Sequence, residues 1–135
     1  LDSTLKNALK NGLKITNEIN QVVKECKLIF IAVGTPQRED GSIDLTMIKK
    51  VVKEIGKNLA KTKNIPIIIV KSTVVPETTI KIILPILEKE SKKKVGKDFG
   101  LITNPEFLRE TNAINDTINP HVVVIGGGDD KFTKK

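Results

Sequence analysis

The densest grouping of chemically capable side chains is "NPEFLRE", Asn104 to Glu110, with two carboxylates and a guanidinium within five positions. If that stretch is helical, Glu106 and Glu110 share one face with Arg109 beside them, an arrangement able to relay a proton and clamp an anion, or simply to form a surface salt-bridge set. Two further polar bursts stand out. "GTPQ" begins with Gly34, which lets a backbone come close to a ligand, followed by Thr35 and Pro36, which fix a turn and offer a hydroxyl. A plain strand-to-loop turn explains that tripeptide equally well. "KSTV" puts Lys71, Ser72 and Thr73 just before a predicted helix, where hydroxyls cap free amides or face a ligand. Capping accounts for one hydroxyl better than two and leaves Lys71 unexplained.

The remaining candidates carry less. Cys26, the single cysteine, sits at a predicted helix end between Glu25 and Lys27 with no histidine near it in sequence, and reads as a packing residue rather than a nucleophile. His121 is the single histidine, so no metal site is expected.

What must position the three bursts is a set of alternating elements. "LDSTLKNALKNG" offers Ser3 or Thr4 as helix cap and Gly12 as stop, and Asn17 is expected to cap a second short helix bearing Ile19, Val22 and Val23. Leu28 to Val33 is continuously apolar, as for a strand buried on both faces of a parallel sheet. Asp44 is expected to cap a helix whose Leu45, Ile48, Val51, Val52, Ile55 and Leu59 form one apolar stripe. Ile65 to Val70 reads as a second strand, and the helix after it should bury Ile80, Ile83, Leu84 and Leu87. Pro85 predicts a kink or an early break in that helix. Phe99 to Thr103 and "HVVVIGG" from His121 read as further strands.

Strand, helix, strand, helix, strand implies parallel βαβ units and an α/β fold. Ligands of such sheets bind beyond the carboxyl ends of the strands. All three polar bursts follow strands at that end, and their convergence tips the balance from surface salt bridges to a site.

Composition sets the outer bounds. The 135 residues, 39% apolar and 29% charged, suit one domain, and no apolar run approaches the ~18 residues needed to span a bilayer. A soluble, cytoplasmic protein is expected, since no signal-peptide pattern is present and one cysteine makes no internal disulfide. The net charge of +7 is mostly lysine scattered over helix faces, and with no Trp or Tyr and four Phe there are no stacking platforms for bases. No nucleic-acid partner is expected. The basic surface suits an anionic nucleotide ligand.

Taken in order and at their spacings, "IFIAVGTPQREDGSIDL", "KSTVVPETT" and "NPEFLRETNAINDTINPHVVVIGG" resemble the UDP-glucose/GDP-mannose dehydrogenase family. The resemblance runs from about Leu1 to Gly128. It implies an NAD-dependent oxidation of a UDP- or GDP-linked sugar at its C6 alcohol to the uronate, by way of cysteine-bound intermediates, as in polysaccharide biosynthesis. By the same resemblance, Val33, Gly34, Thr35, Pro36, Gln37, Ser72, Thr73, Val74 and Glu110 border NAD. Glu106 with Thr73 serves the hydrolytic step, and Glu106, Phe107, Leu108, Arg109 and Glu110 line the nucleotide sugar. A homo-oligomer is possible.

The family's G-x-G-x-x-G turn, central lysine helix and nucleophilic cysteine segment have no counterpart here. Residues 1–135 are therefore expected to form a single partial NAD-binding domain, an incomplete Rossmann-like parallel sheet with flanking helices that lacks the first βαβ unit and is inactive alone. A non-catalytic nucleotide- or protein-binding module is the alternative. Glu77 also stands where the family's "ST-V-P-G-T" turn has glycine, Thr111 where glycine follows "FLRE", and Val122 where arginine is frequent.

Overall fold

The computed structural model describes residues 2–109, 111–128 and 131–132. In chain order it contains α1 (Asp2–Lys10), α2 (Ile19–Glu25), β1 (Leu28–Ile31), α3 (Thr46–Leu59), β2 (Ile67–Val70), a π-helical turn (Thr79–Ile83), α4 (Leu84–Ser91), β3 (Gly100–Thr103), α5 (Ala113–Ile118) and β4 (Gly126–Gly127). Among the described residues the strands form one open sheet in the order β1-β2-β3-β4. The first three are parallel and in register, with Ile31 level with Val70 and Val70 level with Thr103. The fold is α/β, as the alternation of elements predicts.

The register decides which residues meet the helices. Ile29, Ile31, Ile68, Val70 and Leu101 project from one face of the sheet and join Ile48, Val52, Ile55 and Leu59 of α3, Ile83 of the π turn and Leu87 of α4 in a single core. The stripe read from the α3 sequence is that buried face. Neighbouring strands taken in chain order with right-handed crossovers put successive helices on the same side of a sheet. The other face is consequently thin at its edge: Leu28 and Phe30 are each 54% exposed, against 6% and 2% for Ile29 and Ile31. A β1 strand buried on both faces is thus corrected to an edge strand with one open face.

The π turn explains another departure. Ile80, expected in the core, is exposed, while Thr78, Thr79 and Ile83 are buried. Five residues in π geometry shift the helix face relative to an α-helical count, so Thr79 takes the inward place expected of Ile80, while Ile83 and Leu87 are buried as expected. The buried Thr78 hydroxyl finds no hydrogen-bond partner. Pro85 then falls in the first turn of α4, where a missing N–H is tolerated, so the break predicted from the proline appears as the change from π to α geometry at Leu84. The chain enters the turn through Glu77, whose φ of 69° is left-handed without being glycine.

Further expectations are corrected in the terminal and connecting segments. Ser3 and Thr4 lie inside α1 rather than capping it, although Gly12 at φ 97° does end that segment. Glu18, not Asn17, precedes α2 and makes no capping side-chain bond. Asp44 stands one residue before the nominal cap of α3 yet accepts the Thr46 amide at 2.8 Å, so its capping role holds. The strands are shorter than the apolar runs at Val33, Ile65 and Phe99. The expected strand from His121 shrinks to Gly126–Gly127, antiparallel to β3, with Val122 to Ile125 exposed.

Candidate functional site

Because Ile31, Val70 and Thr103 end their strands side by side, the loops that follow must meet, and hydrogen bonds tie them together. The Ser72 hydroxyl, buried, donates to the Val33 carbonyl at 2.7 Å, with the Ile31 carbonyl at 3.3 Å. Thr35 Oγ1 donates to the Thr73 carbonyl at 2.6 Å. Backbone amides continue the lacing, from Lys71 to Ile31 at 2.9 Å and from Asn104 to Val70 at 2.9 Å. Lys71 Nζ reaches the Asn104 carbonyl at 3.4 Å. The serine and lysine at the end of β2 therefore join one strand end to the loops on either side. That is why a buried strand runs into polar residues.

Two depressions open along this rim. One, of about 750 Å³, is lined by Lys71, Glu106 to Arg109, Asp116 and His121 among others. The second, about 510 Å³ and more apolar, includes Ser72, Val74, Glu77, Thr103 and Gly126 to Gly128, and the two share Pro105. Glu106, Phe107 and Leu108 are exposed in the first. Val33 to Gln37 line neither depression. Gly34 instead faces open space, with nothing within 4 Å of where a Cβ would stand, so it leaves room for close approach. Thr73 is exposed, and the structure contains no hydrogen bond between it and Glu106. Glu110 lies outside the described residues.

The helical premise for "NPEFLRE" does not hold, since residues 104–109 have no regular structure. Arg109 pairs instead with Asp116, whose carboxylate accepts from Arg109 Nε at 3.0 Å and Nη2 at 2.7 Å. The guanidinium beside Asp116, together with the Arg109 amide, holds its carboxyl well below the usual carboxylate range, and the Arg109 pKa is raised in return. The sequence reading missed Asp116 and Asn104. An acid seven residues beyond an arginine lies two helical turns away, past the i,i+3 and i,i+4 spacings at which side chains pair, and Asn104 looks like an ordinary residue before proline. At the neighbouring loop, the Thr46 hydroxyl and amide and then Arg38 hold the Asp44 carboxyl at about 2.

Cys26 is exposed, which corrects its reading as a packing residue. It lies before the amino end of β1, whereas the rim lies at the carboxyl ends, so the chain's one thiol is at the wrong end of the sheet for chemistry in either depression. Among the described residues no group of three or more His, Cys, Asp or Glu could hold a metal ion, and no helix is long and apolar enough to cross a membrane.

Parallel strands whose carboxyl ends form a laced, polar rim with an open glycine define an α/β nucleotide-binding domain. Comparison with known proteins makes the class specific. The family model for the UDP-glucose/GDP-mannose dehydrogenase family, NAD binding domain, matches residues 1–135. A GDP-mannose 6-dehydrogenase of Pseudomonas putida is 41% identical over 127 residues, 93% of this chain and 29% of that protein. A UDP-glucose 6-dehydrogenase of Bacillus subtilis is 41% identical over 125 residues, 93% of this chain and 26% of that protein. The crystal structure of a ternary complex of GDP-mannose dehydrogenase from Pseudomonas aeruginosa superposes with a TM-score of 0.89 at 38% identity, covering 96% of this chain and 30% of that one. This chain belongs to the UDP-glucose/GDP-mannose dehydrogenase family, its residues 1–135 matching that family's NAD binding domain. It spans under a third of the length of these relatives.

The residues present fit one flank of the dinucleotide that the family's domain takes. Gly34 is open to close approach, and the Val33 and Thr73 carbonyls beside it are already satisfied by Ser72 and Thr35.

Proposed function

We propose that this chain carries the rim of an NAD-dependent nucleotide-sugar 6-dehydrogenase, binding a UDP- or GDP-linked sugar and one side of NAD without turning them over alone. The observation that carries the reading is the register of Ile31, Val70 and Thr103, which brings the three motif loops together. In this reading NAD, when bound, accepts the hydride, and Val33 to Gln37 with Ser72, Thr73, Val74 and Glu110 border it. Glu106, at the exposed lip of the larger cleft, would hold and deprotonate water with help from the Thr73 hydroxyl, while Phe107 to Glu110 line the sugar.

A non-catalytic nucleotide- or protein-binding module is the second reading, and the position of Cys26 at the amino end of β1, away from the rim, is the observation that favours it. Finer expectations follow from the same surface. The chain acts in the cytoplasm, its lysines solvate it rather than bind nucleic acid, and the open edge at Leu28 and Phe30 promotes self-association.

Isothermal titration of the chain with NAD, UDP-glucose and GDP-mannose tests the proposal. Binding of one sugar nucleotide, weakened in Glu106→Ala, is the expected result. A well-folded chain that binds none of the three overturns it.

A further inference from the structure

Residues 104–109 border the larger cleft without regular structure; backbone bonds tie their two ends, from the Asn104 amide to the Val70 carbonyl and from the Asn112 amide to the Arg109 carbonyl, each at 2.9 Å, and side chains add the rest. At the start, Asn104 Nδ2 donates to the Val124 carbonyl at 2.9 Å. At the end one carboxylate gathers four donors. Asp116 Oδ2 accepts from the Arg109 amide and from Arg109 Nε, both at 3.0 Å, and Oδ1 accepts from Arg109 Nη2 at 2.7 Å and Asn112 Nδ2 at 2.9 Å.

Three of these four bonds leave α5 for Arg109, so holding its own helix is not the main task of this carboxylate. Burial points the same way: the Asp116 side chain is 12% exposed and that of Arg109 is 72% exposed. A sheltered anion grips backbone and guanidinium together, and the fork geometry fixes orientation as well as distance.

We propose that Asp116 is the positioning residue of this segment, setting the shape that Glu106 to Arg109 present to the ligand. That the ligand is a sugar nucleotide rests on the function proposed above; the ordering of the segment does not. Arg109 is accordingly an oriented, already neutralised group in the cleft wall rather than a bare anion clamp.

The chain has two arginines, Arg38 and Arg109, so 15N-arginine labelling gives two Nε–Hε signals and a built-in control. Asp116→Asn is expected to speed Hε exchange of Arg109 by roughly tenfold, as for the loss of a charge-assisted bond at an exposed site, and to leave Arg38 unchanged. In calorimetric titrations UDP-glucose or GDP-mannose should bind about tenfold more weakly to Asp116→Asn, with only a smaller further loss when that change is added to Arg109→Ala, where the amide at residue 109 alone still reaches Asp116. Asp116→Glu, which keeps the charge and misplaces it, should give intermediate exchange, and it substitutes for Asp116→Asn if the latter fails to fold.

A lowered melting temperature with unchanged Arg109 exchange would mean a merely structural role and overturn the proposal. So would additive losses in the double variant. If the wild-type chain binds neither sugar nucleotide while Arg109 exchange still responds to Asp116→Asn, the functional reading fails and the positioning role stands.

Discussion

Glu77 enters the π turn at φ 69°, and its side chain is 63% exposed, holding Lys81 at 2.7 Å. A residue with a Cβ in the left-handed region costs about 1–2 kcal/mol. Glycine there removes that strain, gives back about 0.5–1 kcal/mol through the freer unfolded chain, and loses an exposed i,i+4 ion pair of about 0.3–0.5 kcal/mol. Glu77→Gly should therefore lie between about 0.5 kcal/mol destabilising and about 1.2 kcal/mol stabilising, centred on the stabilising side. Glu77→Ala keeps the strain and loses the pair, so it should destabilise by roughly 0.3–0.5 kcal/mol. The gap between the two variants, centred on about 0.75 kcal/mol, isolates the backbone effect because both lose the same carboxylate. Urea unfolding followed by circular dichroism at 222 nm measures it, since without Trp or Tyr there is little intrinsic fluorescence to follow. If the alanine variant is as stable as the glycine variant or more so, the strain at residue 77 is not real and the reasoning fails.

Acid should act in part through Asp44, alongside Asp116, whose carboxyl is held lower still. The folded Asp44 pKa of about 2 lies below the unfolded value of about 3.9, so its contribution is complete above pH ~4 and disappears as pH falls towards 2. Asp44→Asn should lower stability at neutral pH and flatten the loss between pH ~4 and ~2, read from urea midpoints at each pH; a wild-type slope in that window would remove the Asp44 contribution. At the open sheet edge, sedimentation velocity should show wild-type chain associating as its concentration rises and Phe30→Glu remaining monomeric. A wild-type chain that is monomeric throughout contradicts the open-edge reading.

The sequence by itself determined the α/β alternation, the buried stripe of α3, the order of the three motifs and their arrival at one rim. Apolar period and strand-then-polar punctuation are local signals, and each needs only its own segment to be read. What tertiary structure decided is which partners those segments meet. Ile80 looks like a core residue until π geometry shifts the face it sits on, and Leu28 and Phe30 look buried until strand order shows no described helix above them. Likewise Arg109 reads from spacing as a partner for a glutamate within helical reach, but in the folded chain it pairs with Asp116, seven residues on. Pairing across an irregular loop depends on path rather than spacing, which is why composition and period do not reveal it.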